Sequence, residues 1–161
     1  MGTNDPVEAN PESIAAMTAL AHRYFLHRLY DDAACLFEVI LRHRPAQADL
    51  HYAHAKALHA LGRHDEALPA YSRALVLGVT DPALHLYMGQ CLIYRRHFEG
   101  ARRSLEECLR MAQLQHLQRP AVTKPAQHLL DRVVDLLKKY GIRTAPATTT
   151  AALRGPMETT V

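Results

Sequence analysis

Residues 48–81 read ADLHYAHAKALHALGRHDEALPAYSRALVLGVTD, and the pattern of this stretch returns 34 residues earlier and 34 residues later in the chain. The recurring positions combine small residues with large apolar ones at fixed distances. The small positions are Ala21, Ala55 and Gly89, and Ala33, Ala67 and Ala101; the large ones are Phe37, Tyr71 and Leu105, with Tyr24, Leu58 and Leu92. No insertion interrupts the three units, which run 14–47, 48–81 and 82–115. A fixed period of this length indicates a stack of similar structural units.

The spacing of small and large residues within each unit is typical of paired helices. A small residue lets two helix backbones approach closely, and a large residue four positions later fills the space beside them. This pattern resembles the tetratricopeptide repeat, in which each unit is a helical hairpin that buries its apolar side against the next hairpin. We therefore expect an all-α fold in which three tandem hairpins form a right-handed superhelix.

Capping residues and composition define the remaining segments of the chain. Asn10-Pro11 and Asp81-Pro82 each read as an N-cap followed by proline at the first helical position. The repeat domain is predicted to span residues 13–141, after a short flexible N-terminus over 1–12. A loop carrying Pro120 and Pro125 leads to an amphipathic helix over about 125–140 that caps the stack. Residues 142–161, rich in Ala, Thr and Pro, are predicted to be a disordered tail.

Composition excludes several classes of function. The formal charge is +3, from 19 Lys+Arg against 16 Asp+Glu, which is too small to indicate a nucleic-acid partner. The densest basic group is interpreted as a solvated helix face: Arg95, Arg96, Arg102 and Arg103. No apolar run is long enough to span or insert into a bilayer, and no secretory signal is recognisable. Three cysteines without a CxxC pair indicate free thiols, so a cytoplasmic location is expected.

The first helix of each hairpin is expected to line the concave side of the stack. Its inward positions combine apolar and polar side chains, a mixture that suits an extended peptide. The predicted groove residues are Thr18, His22, Phe25 and Leu26 in the first unit, Tyr52, Lys56 and His59 in the second, and Leu86, Gln90, Ile93 and Tyr94 in the third. For Leu26 and Ile93, packing between neighbouring helices is an equal alternative.

Three segments of the chain carry a more specific resemblance. Gly78-Val-Thr-Asp-Pro82, Gly89-Gln-Cys-Leu92 and Phe98-Glu-Gly-Ala101 are similar to the third repeat of class II chaperones of type III secretion, the SycD/LcrH type. The resemblance implies a bacterial cytoplasmic chaperone that holds a hydrophobic translocator in its groove until export. Thr18, His22 and His51 stand where the family often has aromatic residues, which implies a more polar groove. The resemblance implies a dimer formed through a helix in a longer N-terminal segment. Only residues 1–13 precede the first repeat here, so a homodimer is left open.

Other functions stay open or are disfavoured on particular residues. A repeat chaperone for a needle or inner-rod subunit and a protein–protein adaptor outside secretion remain alternatives. A heat-shock co-chaperone is disfavoured, because the positions of the usual carboxylate clamp hold Thr18, His22, Ala53 and Tyr87.

Catalysis and metal binding find little support in the sequence. The chain has no nucleophile elbow and no phosphate-binding glycine loop, so an enzyme and a cofactor are not expected. His51 and His54 are three residues apart, which suits one helix face, and His85 occupies the same repeat position as His51. No HExxH motif or Cys/His cluster accompanies them, so no metal site is predicted.

Overall fold

The structure, a computed structural model, describes residues 10–115 and 119–140, which form seven α-helices and no strand. The helices are α1 Pro11–Leu26, α2 Tyr30–His43, α3 Ala48–Ala60, α4 His64–Val76, α5 Pro82–Tyr94, α6 Phe98–Leu114 and α7 Pro120–Lys139. Each helix packs against the next one in the chain, and α5 also contacts α3 and α7. Of the helices described, none has the length and hydropathy that crossing a membrane requires.

The helix boundaries repeat with the period seen in the sequence. The second helices of the three hairpins begin at Tyr30, His64 and Phe98, which are 34 residues apart. The first helices end at Leu26, Ala60 and Tyr94, with the same spacing. The prediction of an all-α fold built from three similar hairpins is therefore confirmed.

The turn inside each hairpin has one conformation throughout. Arg28, Gly62 and Arg96 occupy equivalent positions and have φ values of 62°, 75° and 57°. The next residue of each turn donates its backbone N–H to a carbonyl five residues back: Leu29 to Tyr24, Arg63 to Leu58 and His97 to Leu92, over 2.8–2.9 Å. This arrangement is the Schellman motif, which satisfies carbonyls at the helix end through a left-handed residue.

The recurring small and large residues form the core. Ala21, Ala33, Ala55, Ala67 and Ala101 are all fully buried, as are Phe37, Tyr71 and Leu105. Gly89 shows why the small position is required, because a Cβ built there would lie 2.9 Å from the Leu105 side chain. Contact this close is essentially never seen for real side chains, so a Cβ at residue 89 would force the Leu105 side chain to shift, and glycine lets α5 and α6 pack without that change.

Both predicted N-caps are confirmed, and one predicted helix start is wrong. The Asn10 side chain accepts from the Glu12 N–H, and the Asp81 side chain accepts from the Ala83 N–H. Helix α1 thus begins two residues before the predicted start of the domain. Helix α7 begins at Pro120 rather than near 125. Proline suits the first helical position, where no N–H is needed.

The final helix packs on the third hairpin. Helix α7 contacts α5 and α6 and buries Val122, Ala126, Val133 and Leu137. These residues join Leu86, Leu105 and Cys108 in a second core cluster. The apolar face of α7 thereby covers the end of the stack that the third hairpin forms. The flexible N-terminus was predicted over 1–12; residues 1–9 of it and the tail predicted for 142–161 lie outside the described residues, whereas Pro11 and Glu12 belong to α1.

The densest basic group is not a uniformly solvated face. Arg102 is only 7% exposed, and its guanidinium donates to Glu99 and to Glu106 at 2.6 Å each. Arg95 lies 3.0 Å from Asp65 of the preceding hairpin. Acidic residues therefore pair with part of this group, a detail that the order of charges along the sequence does not reveal.

Candidate peptide-binding groove

The predicted groove residues lie on α1, α3 and α5, the first helix of each hairpin, but they differ widely in exposure. Leu26 is 79% exposed and Tyr94 is 66% exposed, and both are the last residue of their helix. His22 is also exposed, although its ring packs edge-on against Phe37. The half-buried members are Thr18, Phe25, Tyr52, Lys56, His59, Gln90 and Ile93. Leu86 alone of the set is buried.

Three of these residues meet between the first and second hairpins. The Lys56 ammonium lies 5.3 Å from the centre of the Phe25 ring and 5.3 Å from the centre of the Tyr52 ring. A cation over an aromatic face is attracted by the electron density of the ring. Phe25 also packs edge-on against Tyr30. The first two hairpins thus present two aromatic rings joined by one positive charge.

Tyr52 is fixed by a polar contact with the residue that caps α5. Its hydroxyl donates to the Asp81 carboxylate over 3.2 Å. Asp81 also caps α5 and lies 3.2 Å from the Arg119 guanidinium. Burial and, second, the nearby Asp81 charge raise the pKa of Tyr52 far above its usual range. The hydroxyl therefore stays protonated and acts as a donor that orients the ring.

The third hairpin contributes less free surface than predicted. Leu86 is 3% exposed and belongs to the core cluster that α7 completes. Ile93 packs against the same cluster while keeping part of its surface. The sequence placed Leu86 in the groove because of its register position, but Leu86 shares its buried cluster with residues of α7, which lies outside the repeats. In this conformation Leu86 stabilises the fold and offers nothing to a peptide.

Histidine and cysteine side chains meet at the junction of α3, α4 and α5. The Cys91 sulfur lies 3.5 Å from His59 Nδ1 and 3.7 Å from His64 Nδ1. The His64 ring also packs on the Tyr94 ring at 4.5 Å between centroids. Burial and then His64 lower the pKa of His59, whereas burial raises the pKa of Cys91 to about 11. Neutral His59 and a protonated thiol are thus the favoured forms at neutral pH.

A stack of aromatic rings lies beside this junction. Tyr71 packs against Tyr52, His59 and Tyr87, with centroids 5.9–6.1 Å apart. Tyr71 is fully buried, and among the described residues its hydroxyl has no hydrogen-bond partner. An unpaired buried hydroxyl costs about 1–3 kcal/mol, so this tyrosine is expected to serve more than packing.

Sequence reasoning missed His64, Tyr71 and Cys91 as neighbours of the groove. His64 and Tyr71 lie on α4 and Cys91 lies on α5, and the distance along the chain from His59 to Cys91 is close to one repeat. The repeat register was the signal that could have found them, because α5 of the third unit packs against both helices of the second unit. The three histidines considered at first, His51, His54 and His85, do not belong to this cluster.

Comparisons with known proteins agree with this architecture. A model of the tetratricopeptide repeat matches residues 48–91. No curated protein sequence matches the chain.

Solved structures similar to this chain include bacterial and fungal proteins. The chaperone SycD of Yersinia enterocolitica type III secretion, in complex with a peptide of the translocator YopD, is similar with a TM-score of 0.69 at 17% identity, covering 81% of this chain and 97% of that one. PcrH in complex with the chaperone binding region of PopD gives 0.71 at 18% identity, covering 79% and 95%. The Sgt2 tetratricopeptide domain of Aspergillus fumigatus gives 0.65 at 15% identity, covering 96% and 98%. At these identities the likeness establishes the tetratricopeptide fold.

Proposed function

We propose that this chain is a bacterial chaperone of type III secretion, which binds an extended segment of a hydrophobic translocator and keeps it soluble in the cytoplasm until export. The observation that carries the proposal is the likeness of nearly the whole repeat stack to SycD bound to a peptide of the translocator YopD and to PcrH bound to the chaperone binding region of PopD. The proposed role is binding, without catalysis or a required cofactor.

The free apolar surface of the first helices supports this role. Leu26 and Tyr94 end their helices with most of their side chains exposed. Phe25 and Tyr52 add two half-exposed rings on either side of Lys56. Apolar surface grouped on one series of helices marks an interaction site more often than isolated exposed residues do. Side chains of an extended peptide would pack on these groups, and Lys56 and Gln90 would pair with its polar atoms.

A protein–protein adaptor outside secretion is the second candidate, and two observations favour it. The Sgt2 domain matches nearly all of this chain. A cleft between α2 and α4, on the second helices, is lined by acidic side chains together with Arg63 and His54: Asp31, Asp32, Glu38, Asp65 and Glu66. An adaptor would engage a partner there rather than along the first helices. A chaperone for a needle or inner-rod subunit would use the same groove with a different cargo.

Co-purification with a co-expressed translocator tests the proposal. Phe25→Ala and Tyr52→Ala are each expected to weaken the complex by about 1–3 kcal/mol, or roughly 5- to 150-fold in affinity, because buried aromatic contacts dominate such interfaces. Tyr52→Phe separates the ring from its hydrogen bond to Asp81 and should retain most of the affinity. Val76→Ala, on the exposed end of α4, is the control that should bind as the unmodified chain does.

Equal binding by all four variants would contradict a role for the first helices. Loss of translocator binding by a change in the acidic cleft, such as Glu38→Gln, with the Phe25 variant unaffected, would instead assign translocator binding to the second helices. Failure of the unmodified chain to co-purify with a translocator would favour the adaptor. Circular dichroism of each variant shows whether the fold is retained.

A further inference from the structure

We propose that His59, His64 and Cys91 form a binding site for a zinc ion at the junction of α3, α4 and α5. Each residue comes from a different helix, and their ligand atoms all lie within 4.8 Å of one another. The sequence predicted no metal site, because these residues are not a recognisable motif until the second hairpin packs against α5. The proposal is independent of the proposed chaperone function.

The distances around the sulfur fit a tetrahedral ion. With Zn–S near 2.3 Å and Zn–N near 2.0–2.1 Å, a tetrahedral angle separates sulfur from nitrogen by about 3.6 Å. The observed separations from Cys91 Sγ are 3.5 Å to His59 Nδ1 and 3.7 Å to His64 Nδ1. Hydrogen bonding explains both distances only if the thiol donates to one imidazole and accepts from the other. A single ion explains both distances, with each imidazole binding it through Nδ1.

The donor set favours zinc over the harder divalent ions. Two imidazole nitrogens and one thiolate are borderline to soft ligands, which suit zinc and not magnesium or calcium. Binding replaces the thiol proton, so Cys–SH and Zn²⁺ give Cys–S–Zn and one released proton. Three protein ligands leave a fourth position for water or for a donor from a bound partner.

The surroundings provide both access and a second polar group. Cys91 is fully buried, whereas His59 and His64 are half exposed, so an ion can enter from the histidine side. The Tyr71 ring lies 6.1 Å from the His59 ring, and its buried hydroxyl has no partner among the residues that the structure describes. His64 also contacts Tyr94, which places the site beside the proposed groove.

Titration of the full chain with Co²⁺ under reducing conditions tests the site, because thiolate-bound tetrahedral cobalt has a characteristic charge-transfer absorption. We expect one equivalent of Co²⁺ to produce that band and Zn²⁺ to abolish it by displacement. Cys91→Ser and His64→Gln should each remove the band. Cys35→Ser, at an exposed thiol, and Cys108→Ser, at a buried thiol of α6, are the matched controls and should retain it.

Two results would overturn the proposal. One is the absence of a thiolate–cobalt band in the unmodified chain, which would leave a hydrogen-bonded cluster only. The other is a band that survives Cys91→Ser or disappears with Cys35→Ser, which would place the metal at another thiol. Circular dichroism checks each variant, and His64→Gln, at a half-exposed residue that begins α4, supplies the same test if Cys91→Ser does not fold. Because the metal alone is the probe, a negative result leaves the translocator-binding proposal standing.

Discussion

At Arg28, Gly62 and Arg96 the backbone adopts the same left-handed conformation, although only one of the three residues is glycine. Side chains with a Cβ pay a steric cost in this region that glycine avoids. A Cβ built on Gly62 has nothing within 4 Å, so the cost there is conformational and does not come from crowding. The three turns are therefore equivalent in geometry and unequal in strain.

Exchanging residues at this position tests that account. Arg28→Gly and Arg96→Gly are each expected to raise the free energy of unfolding by about 1 kcal/mol, and Gly62→Arg should lower it by a similar amount. Urea unfolding followed by circular dichroism measures all three. If Gly62→Arg were neutral while the two glycine variants were destabilising, the left-handed conformation would not be what limits these turns.

The helices of the hairpins could be predicted in detail because the same contact between a small and a large residue recurs in each of the three repeats. Alignment of Ala33, Ala67 and Ala101 located the second helices, and all three are fully buried. Helix α7 was predicted less well, because it belongs to no repeat and its start depends on Pro120 being accepted at the first helical position. The burial of Leu86 in one cluster with α7 could not be predicted from register, since only the folded chain brings α7 against α5.

Two leucines at different depths test this division between core and surface. Leu86→Ala should lower the free energy of unfolding by about 2–5 kcal/mol, because it opens a cavity between α5, α6 and α7. Leu26→Ala, at a residue 79% exposed, should change it by less than about 0.5 kcal/mol. Urea midpoints of the two variants give the comparison. A small effect at Leu86 would mean that α7 does not hold the third hairpin in solution.

In the whole molecule, the first helices of the hairpins are α1, α3 and α5, and the second helices are α2, α4 and α6. The sequence predicted which residues lie on the first helices, and the structure brings Phe25, Tyr52 and Lys56 together as one group. The order of residues along the chain could not rank their exposure, nor could it bring His59, His64 and Cys91 to one point. Those features depend on how neighbouring hairpins pack, which no single repeat specifies.

Photo-crosslinking of a co-expressed translocator tests the central claim most directly. A benzoylphenylalanine replaces one exposed residue at a time: Leu26 or Tyr94 on the first helices, Val39 or Val76 on the second. We expect crosslinks to the translocator from Leu26 and Tyr94 and none from Val39 and Val76, with the crosslinked translocator residues falling in one short segment. Crosslinks from Val39 and Val76 with none from Leu26 and Tyr94 would contradict the claim that the first helices bind the cargo.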